Sequence, residues 1–84
     1  MNFEIEIGPK AQKILDRLPK ETALRITKKL QMIRENPFHF LEHIERENCY
    51  KLRIGNYRAL IEADFESKKL IVSVLDKRGR IYKR

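Results

Sequence analysis

Tyr50-Lys51-Leu52-Arg53-Ile54-Gly55-Asn56-Tyr57-Arg58-Ala59-Leu60-Ile61 decides how this chain folds. Tyr50, Leu52 and Ile54 alternate with Lys51 and Arg53, and a period of two is the signature of a half-buried strand. Gly55-Asn56 supplies a tight reversal, because both residue types tolerate positive φ, and Tyr57 opens a second run of strand formers. The stretch predicts a β-hairpin. Lys51, Arg53 and Arg58 fall within it and no acidic residue does, so one face of the hairpin is cationic.

Working towards the C-terminus, Phe65-Glu66-Ser67-Lys68 reads as a turn, and Leu70-Ile71-Val72-Ser73-Val74-Leu75 is the most continuous apolar run in the chain. Such a run predicts a central strand buried on both faces. Asp76 to Gly79 break it, and a short basic tail from Arg80 to Arg84 follows.

Towards the N-terminus, Phe3, Ile5 and Ile7 alternate with Asn2, Glu4 and Glu6, which predicts a first strand ended by Gly8-Pro9. Its partner strand must lie far along the chain. Ala11, Ile14, Leu15 and Leu18 recur at helical spacing up to Pro19. A second helix is predicted to start at that proline, carrying Ala23, Ile26, Leu30 and Ile33 on one face and ending near Asn36-Pro37. So short a link makes the two helices an antiparallel hairpin. The segment around Phe38, Phe40, Leu41 and Ile44 has no periodicity that assigns it a structure. The expected architecture is α+β, a two-helix hairpin packed on a small, mainly antiparallel four-stranded sheet in the order β-α-α-β-β-β, with the other sheet face partly open.

Composition sets bounds on this reading. The 84 residues allow one domain, 1–84, with 42% hydrophobic and 37% charged residues, apolar enough to fold without being disordered. A chain of this size buries only about 60–65% of the surface it exposes when unfolded, so the core is thin. The net charge of +7 points to a polyanion or an acidic protein as partner. Five of the last nine residues, Lys77, Arg78, Arg80, Lys83 and Arg84, are basic, whereas three Glu crowd the segment from Glu42 to Glu47. Cys49 is the only cysteine, Glu4 and Glu6 interrupt any apolar leader, and no long uncharged stretch is available to span a bilayer. A cytoplasmic protein is expected, with no membrane partner.

Several chemistries are weakly represented. His39 and His43 bracket an H-x-x-E-H pattern, but a zinc site of that kind needs a rigid helix and a third protein ligand, and Pro37 precedes the pattern. Cys49 lacks a scaffold that aligns a thiol with a base and reads as a buried residue. Glu4, Glu6, Glu62 and Asp64 alternate along strands and read as solvent-facing. Gly8, Gly55 and Gly79 are isolated, so there is no phosphate-cradling loop. What remains is the cationic cluster of Lys51, Arg53 and Arg58 with Lys77, Arg78 and Arg80, joined by Tyr82 as a group able to stack on a base or exchange a proton. From the residues alone, nucleic-acid binding outranks catalysis.

At these residues the chain resembles the RelE/ParE toxin superfamily, and within it the RelE branch of ribosome-dependent mRNA interferases. The resemblance covers nearly the whole chain. It rests on the β-α-α-β-β-β order, on Leu18-Pro19-Lys20-Glu21 between the helices, on Tyr50-Lys51-Leu52-Arg53 followed by Gly55-Asn56-Tyr57-Arg58, and on Val74-Leu75-Asp76-Lys77-Arg78 with the later Tyr82. It implies the toxin of a type II toxin–antitoxin pair, an endoribonuclease that enters the ribosomal A site and cuts the codon there, inhibiting translation.

Such cleavage uses the ribose 2′-OH as nucleophile on the adjacent phosphate and requires no metal or other cofactor. The resemblance carries Lys51, Arg53, Arg58, Arg78 and Tyr82 onto the catalytic positions, with Lys77, Arg80, Lys83 and Arg84 left to bind RNA. Arg58 and Arg78 suit phosphate clamping. Lys51 is the candidate base, and Tyr82 a stacking or proton-transfer group. Where the family's best-studied enzyme has a second lysine this chain has Arg53, which stabilises charge but hardly acts as a base. With Tyr82 two residues from the end, no C-terminal helix of useful length is expected. The implied partners are a RelB-like antitoxin, largely disordered and acidic, together with the ribosome and mRNA. Two other readings stay open: a ParE-like inhibitor of DNA gyrase that cuts nothing, and a small RNA-binding module without catalysis.

Overall fold

A computed structural model describes residues 2–44 and 47–77 of the chain. Its elements run β1 (Glu4–Ile7), α1 (Pro9–Arg17), α2 (Lys20–Met32), a 3₁₀ turn (Pro37–His39), β2 (Glu42–His43), β3 (Cys49–Ile54), β4 (Tyr57–Asp64) and β5 (Lys69–Lys77). One sheet contains all five strands among the described residues, in the spatial order β1-β5-β4-β3-β2. The sheet therefore has one strand more than the four expected. The addition is β2, two residues long, and it lies in the segment whose periodicity assigned nothing. It exists because Ile44 N–H donates to the Cys49 carbonyl at 3.1 Å, closing a return onto β3. No run of two residues carries a readable alternation.

The strands pair antiparallel except β1, which lies parallel to β5 with Ile5 opposite Leu70 and Ile7 opposite Val72. A parallel pair needs a crossover, and α1 and α2 supply it. Gly8 sits at the turn from β1 into α1. Its N–H donates to the Val72 carbonyl at 2.9 Å, and a Cβ there would stand 3.1 Å from that same oxygen. Space, not backbone freedom, is what the glycine provides. Pro9 occupies the first turn of α1, and Pro19 caps α2 rather than beginning it.

Both helices cover one face of the sheet. Ala11 of α1 and Ile26 and Leu30 of α2 are buried against Leu52, Ile54, Ala59, Ile61, Leu70, Val72 and Leu75 of the strands. Burying side chains of this size is the main favourable term, and removing Ile26 or Ile61 down to Ala costs about 2–5 kcal/mol. Arg34 ties the end of α2 to the strand side: its Nε donates to the Phe3 carbonyl at 3.0 Å while Phe3 N–H donates to the Arg34 carbonyl at 3.0 Å.

The other face is open, and it corrects the expectation for β5. That strand is central, yet Ile71, Ser73 and Val74 are only half-buried, because no helix lies over them. The run is apolar on both sides without being buried on both. Register also slips within it: Leu60 faces Val74 and Ile61 faces Val72, leaving Ser73 as the extra residue of a β-bulge. Beyond the bulge the sides exchange, so Leu75 rather than Val74 enters the core.

Candidate nucleic-acid interface

The hairpin of β3 and β4 positions the first three candidate residues. Gly55 has φ of 58°, the glycine position of a two-residue type II′ loop, and Asn56 stays at negative φ. Ile54 and Tyr57 close the loop as partners and so form its hydrogen-bonded pair. By alternation Arg53 and Arg58, which face each other next, form a non-hydrogen-bonded pair, whose Cα atoms stand only about 4.5 Å apart. This is the shortest cross-strand spacing a sheet offers. Two guanidinium-bearing side chains occupy it on the open face.

Like charges directly opposite destabilise a sheet, and among the described residues no carboxylate makes an ion pair with either arginine. Asp76 lies opposite Arg58 on β5, but its Oδ1 accepts the Lys77 N–H at 2.7 Å. Arg58 Nη1 donates instead to its neighbour's carbonyl, Tyr57 O, at 3.3 Å. Arg53 is exposed and Arg58 half-buried, and paired guanidinium groups on one face are chemically suited to a phosphate.

Lys51 stands two residues along the same face, in a cross-strand row with Glu42 on one side and Leu60 on the other. Its side chain is 25% exposed and its Nζ lies 3.8 Å from Glu42 Oε1, on a carboxylate that is 69% exposed. So long and open a pair is worth about 0–1 kcal/mol. Lys51 is thus oriented without being sequestered. Glu42 is a site residue that sequence reasoning missed, because only the register of β2 brings it there.

Lys77 goes elsewhere. Its register partner is Tyr57, and the bulge at Ser73 sends it to the helix side. There it lines a cavity of about 270 Å³ with Pro19, Thr22 and Arg25 of the helical hairpin and Asn56 of the loop. Arg78, Arg80, Tyr82, Lys83 and Arg84 lie outside the described residues.

The weaker candidates are also resolved. His39 lies in the 3₁₀ turn and His43 in β2, so they do not share a helix face, and no group of three metal-ligating side chains assembles among the described residues. Cys49 is buried at 5% exposure. Glu62 and Asp64 are exposed, and with Glu47 and Glu66 they line a groove of about 520 Å³ at the end of the sheet remote from the hairpin loop. Asp64 Oδ1 accepts the N–H groups of Glu66 and Ser67 at 3.2 and 3.3 Å. The Ser67 backbone bond, foremost, holds its carboxyl below the ordinary aspartate range.

A family model for the ParE toxin of type II toxin–antitoxin systems, parDE, matches residues 5–81. Comparison with curated proteins gives no match. Among solved structures, the fold superposes on that of the RelBE2 toxin–antitoxin complex from Mycobacterium tuberculosis with a TM-score of 0.83 at 20% identity, covering 93% of this chain and 100% of that one. The archaeal RelE–RelB complex from Pyrococcus horikoshii gives 0.81 at 24% identity over 95% of this chain and 99% of that one. The isolated E. coli RelE toxin gives 0.79 at 21% identity over 93% and 86%. These likenesses establish the α+β fold as that of RelE structures.

Proposed function

The chain belongs to the ParE toxin family of type II toxin–antitoxin systems, and from that premise we propose that it is a ribosome-dependent mRNA endonuclease. The observation that carries this reading is the close Arg53–Arg58 pair with Lys51 beside it on the open sheet face. A cationic row whose arginines make no ion pair among the described residues fits a phosphodiester.

In this reading Arg53 and Arg58 hold the scissile phosphate and stabilise the charge that develops on it as the 2′-OH attacks. Arg78 completes the clamp. Lys51 and its Glu42 partner stand where a proton leaves the nucleophile, and Tyr82 serves the leaving oxygen or stacks on the base. The products are a 2′,3′-cyclic phosphate and a 5′-OH. Side chains supply the base, the cations and the acid, so chelators are expected to leave cleavage intact. The toxin is held inactive by an acidic, RelB-like antitoxin that masks the same cations. Two of the structures it resembles are complexes of RelE-type toxins with their antitoxins. No helix among the described residues is long and apolar enough to cross a membrane, and the proposed setting is the cytoplasm.

The family description keeps a second reading in view, a gyrase inhibitor that cuts nothing. Primer extension on mRNA in translating ribosomes separates the two, with ribosome-free mRNA as control and Arg58→Ala, Arg78→Ala and Lys51→Ala as variants. The expected result is cleavage on ribosomes only, reduced by about 10²-fold or more in variants that still bind. Absence of cleavage under every condition, alongside inhibition of gyrase supercoiling, overturns the nuclease reading.

A further inference from the structure

Behind the hairpin loop, on the helix side of the sheet, the cavity of about 270 Å³ draws its walls from three separate parts of the chain. Pro19, Thr22 and Arg25 come from the start of α2, Asn56 and Tyr57 from the loop, and Lys77 from the end of β5. Arg25 reaches across to the loop, since a Cβ on Gly55 would stand 2.9 Å from its Nη1. Ile26 and Ile54, at 1% and 4% exposure, complete the lining with apolar surface.

No carboxylate lines this cavity. Two cations from elements far apart in sequence share it, and neither makes an ion pair among the described residues. Thr22, Asn56 and Tyr57 add two hydroxyls and an amide, and none of these side chains makes a hydrogen bond among the described residues. Cations and hydrogen-bonding groups left open beside apolar surface are the make-up of a ligand site.

We propose that the cavity binds one nucleotide, free or as a unit of an RNA strand, with its phosphate held by Arg25 and Lys77. Each part of the lining selects for a part of that ligand. A guanidinium and an ammonium pair with a phosphate, whereas a neutral molecule would leave both unanswered. The apolar surface and the half-buried Tyr57 suit a base, which inorganic phosphate lacks. The Asn56 amide both donates and accepts, as a base edge requires. Volume sets the limit. At about 270 Å³ the cavity is smaller than the roughly 300–1,000 Å³ that holds a drug-sized ligand, so one nucleotide unit is the most it takes. An extended peptide finds no strand edge here, because Ile54 and Tyr57 already pair across the loop. None of Lys51, Arg53 and Arg58 lines the cavity, and the site stands apart from the cleavage reading.

The test titrates the isotope-labelled full chain with adenosine 5′-monophosphate, adenosine, inorganic phosphate and a short oligoadenylate, followed by nuclear magnetic resonance. The monophosphate is expected to bind and to shift the amides of Thr22, Asn56 and Lys77, with adenosine and phosphate each weaker by about tenfold or more. Arg25→Gln and Lys77→Gln are each expected to lose about fivefold or more in affinity, while Lys51→Ala on the open face keeps it. Arg25 and Lys77 are exposed, and a thermal melt of each variant verifies that it folds. The oligoadenylate tells the source of the nucleotide. Binding tighter than the monophosphate and weakened in Lys77→Gln marks a unit of an RNA strand; equal or weaker binding marks a free nucleotide. Affinity that falls in Lys51→Ala and survives Lys77→Gln places the nucleotide on the open face and overturns the proposal. So does phosphate binding as tightly as the monophosphate, or binding of no probe.

Discussion

Arg53 and Arg58 face each other at the tightest spacing of the sheet, and neither makes an ion pair among the described residues, so they weaken the hairpin they sit on. Replacing Arg53 by Thr keeps a good strand former and removes the repulsion. The gain is about 0.2–1 kcal/mol, a rise in melting temperature of roughly 1–8 °C for a domain of this size. RNA binding by the same variant is expected to weaken. A variant that loses both stability and RNA binding would show instead that Arg53 has a structural partner. Lys51 and Glu42 lead to the complementary case, because removing an anion beside the cationic row costs one weak pair. Glu42→Gln is therefore expected to tighten RNA binding by up to about fivefold, read by fluorescence anisotropy, with little change in melting temperature. Alternation in the sequence put Lys51, Arg53 and Arg58 on a hairpin, since a hairpin is a local object fixed by its own turn. It could not supply Glu42, whose place depends on a 3₁₀ turn at Pro37 that breaks rather than follows a period.

Among the elements, β5 separates what local pattern can and cannot say. Its existence and central place follow from six successive apolar or small residues, but its side-chain direction past Ser73 does not, because a bulge shifts the phase without changing the composition. Lys77 is the consequence: it belongs to the cationic cluster in the sequence and lies on the helix side in the structure. The turn between β4 and β5 is by contrast written in its residues. Asp64 accepts two backbone N–H groups there, and Lys68 takes a positive φ of 59° to complete the reversal. The bonded carboxyl gives up its proton more readily when folded than when unfolded, its acidity raised foremost by the Ser67 backbone bond. Its stabilising contribution is therefore present above the unfolded value and is lost as the pH falls below about 4. Thermal unfolding between pH 6 and 3 is expected to show this loss in the wild type and a shallower decline in Asp64→Ala. An equal decline in both would remove Asp64 from the acid sensitivity of the fold.

At the scale of the molecule, charge is sorted from one end of the open face to the other. Lys51, Arg53 and Arg58 outnumber Glu42 and Asp76 towards the hairpin loop, while Glu62 and Asp64 of β4 outnumber Lys69 towards the acidic groove at the far end. The net charge of +7 was legible from composition; this polarity was not, because it depends on which residues of five strands share a row. A polyanion meeting the sheet is drawn to the hairpin end and repelled from the other, so its position is fixed before any specific bond forms. The strength of that effect is measurable as salt dependence. Each phosphate neutralised on a single strand contributes about −0.7 to the slope of log K against log salt. The three hairpin cations together then account for about −2 of the slope, and Lys51→Ala or Arg58→Ala should each make it shallower by about 0.7. Glu62→Gln, at the acidic end, is expected to leave the slope unchanged, since that carboxylate meets no phosphate when the strand lies over the hairpin. A slope that responds to Glu62 and not to Lys51 or Arg58 would place the RNA across the whole sheet, and the hairpin could then no longer be the element that selects the scissile phosphate.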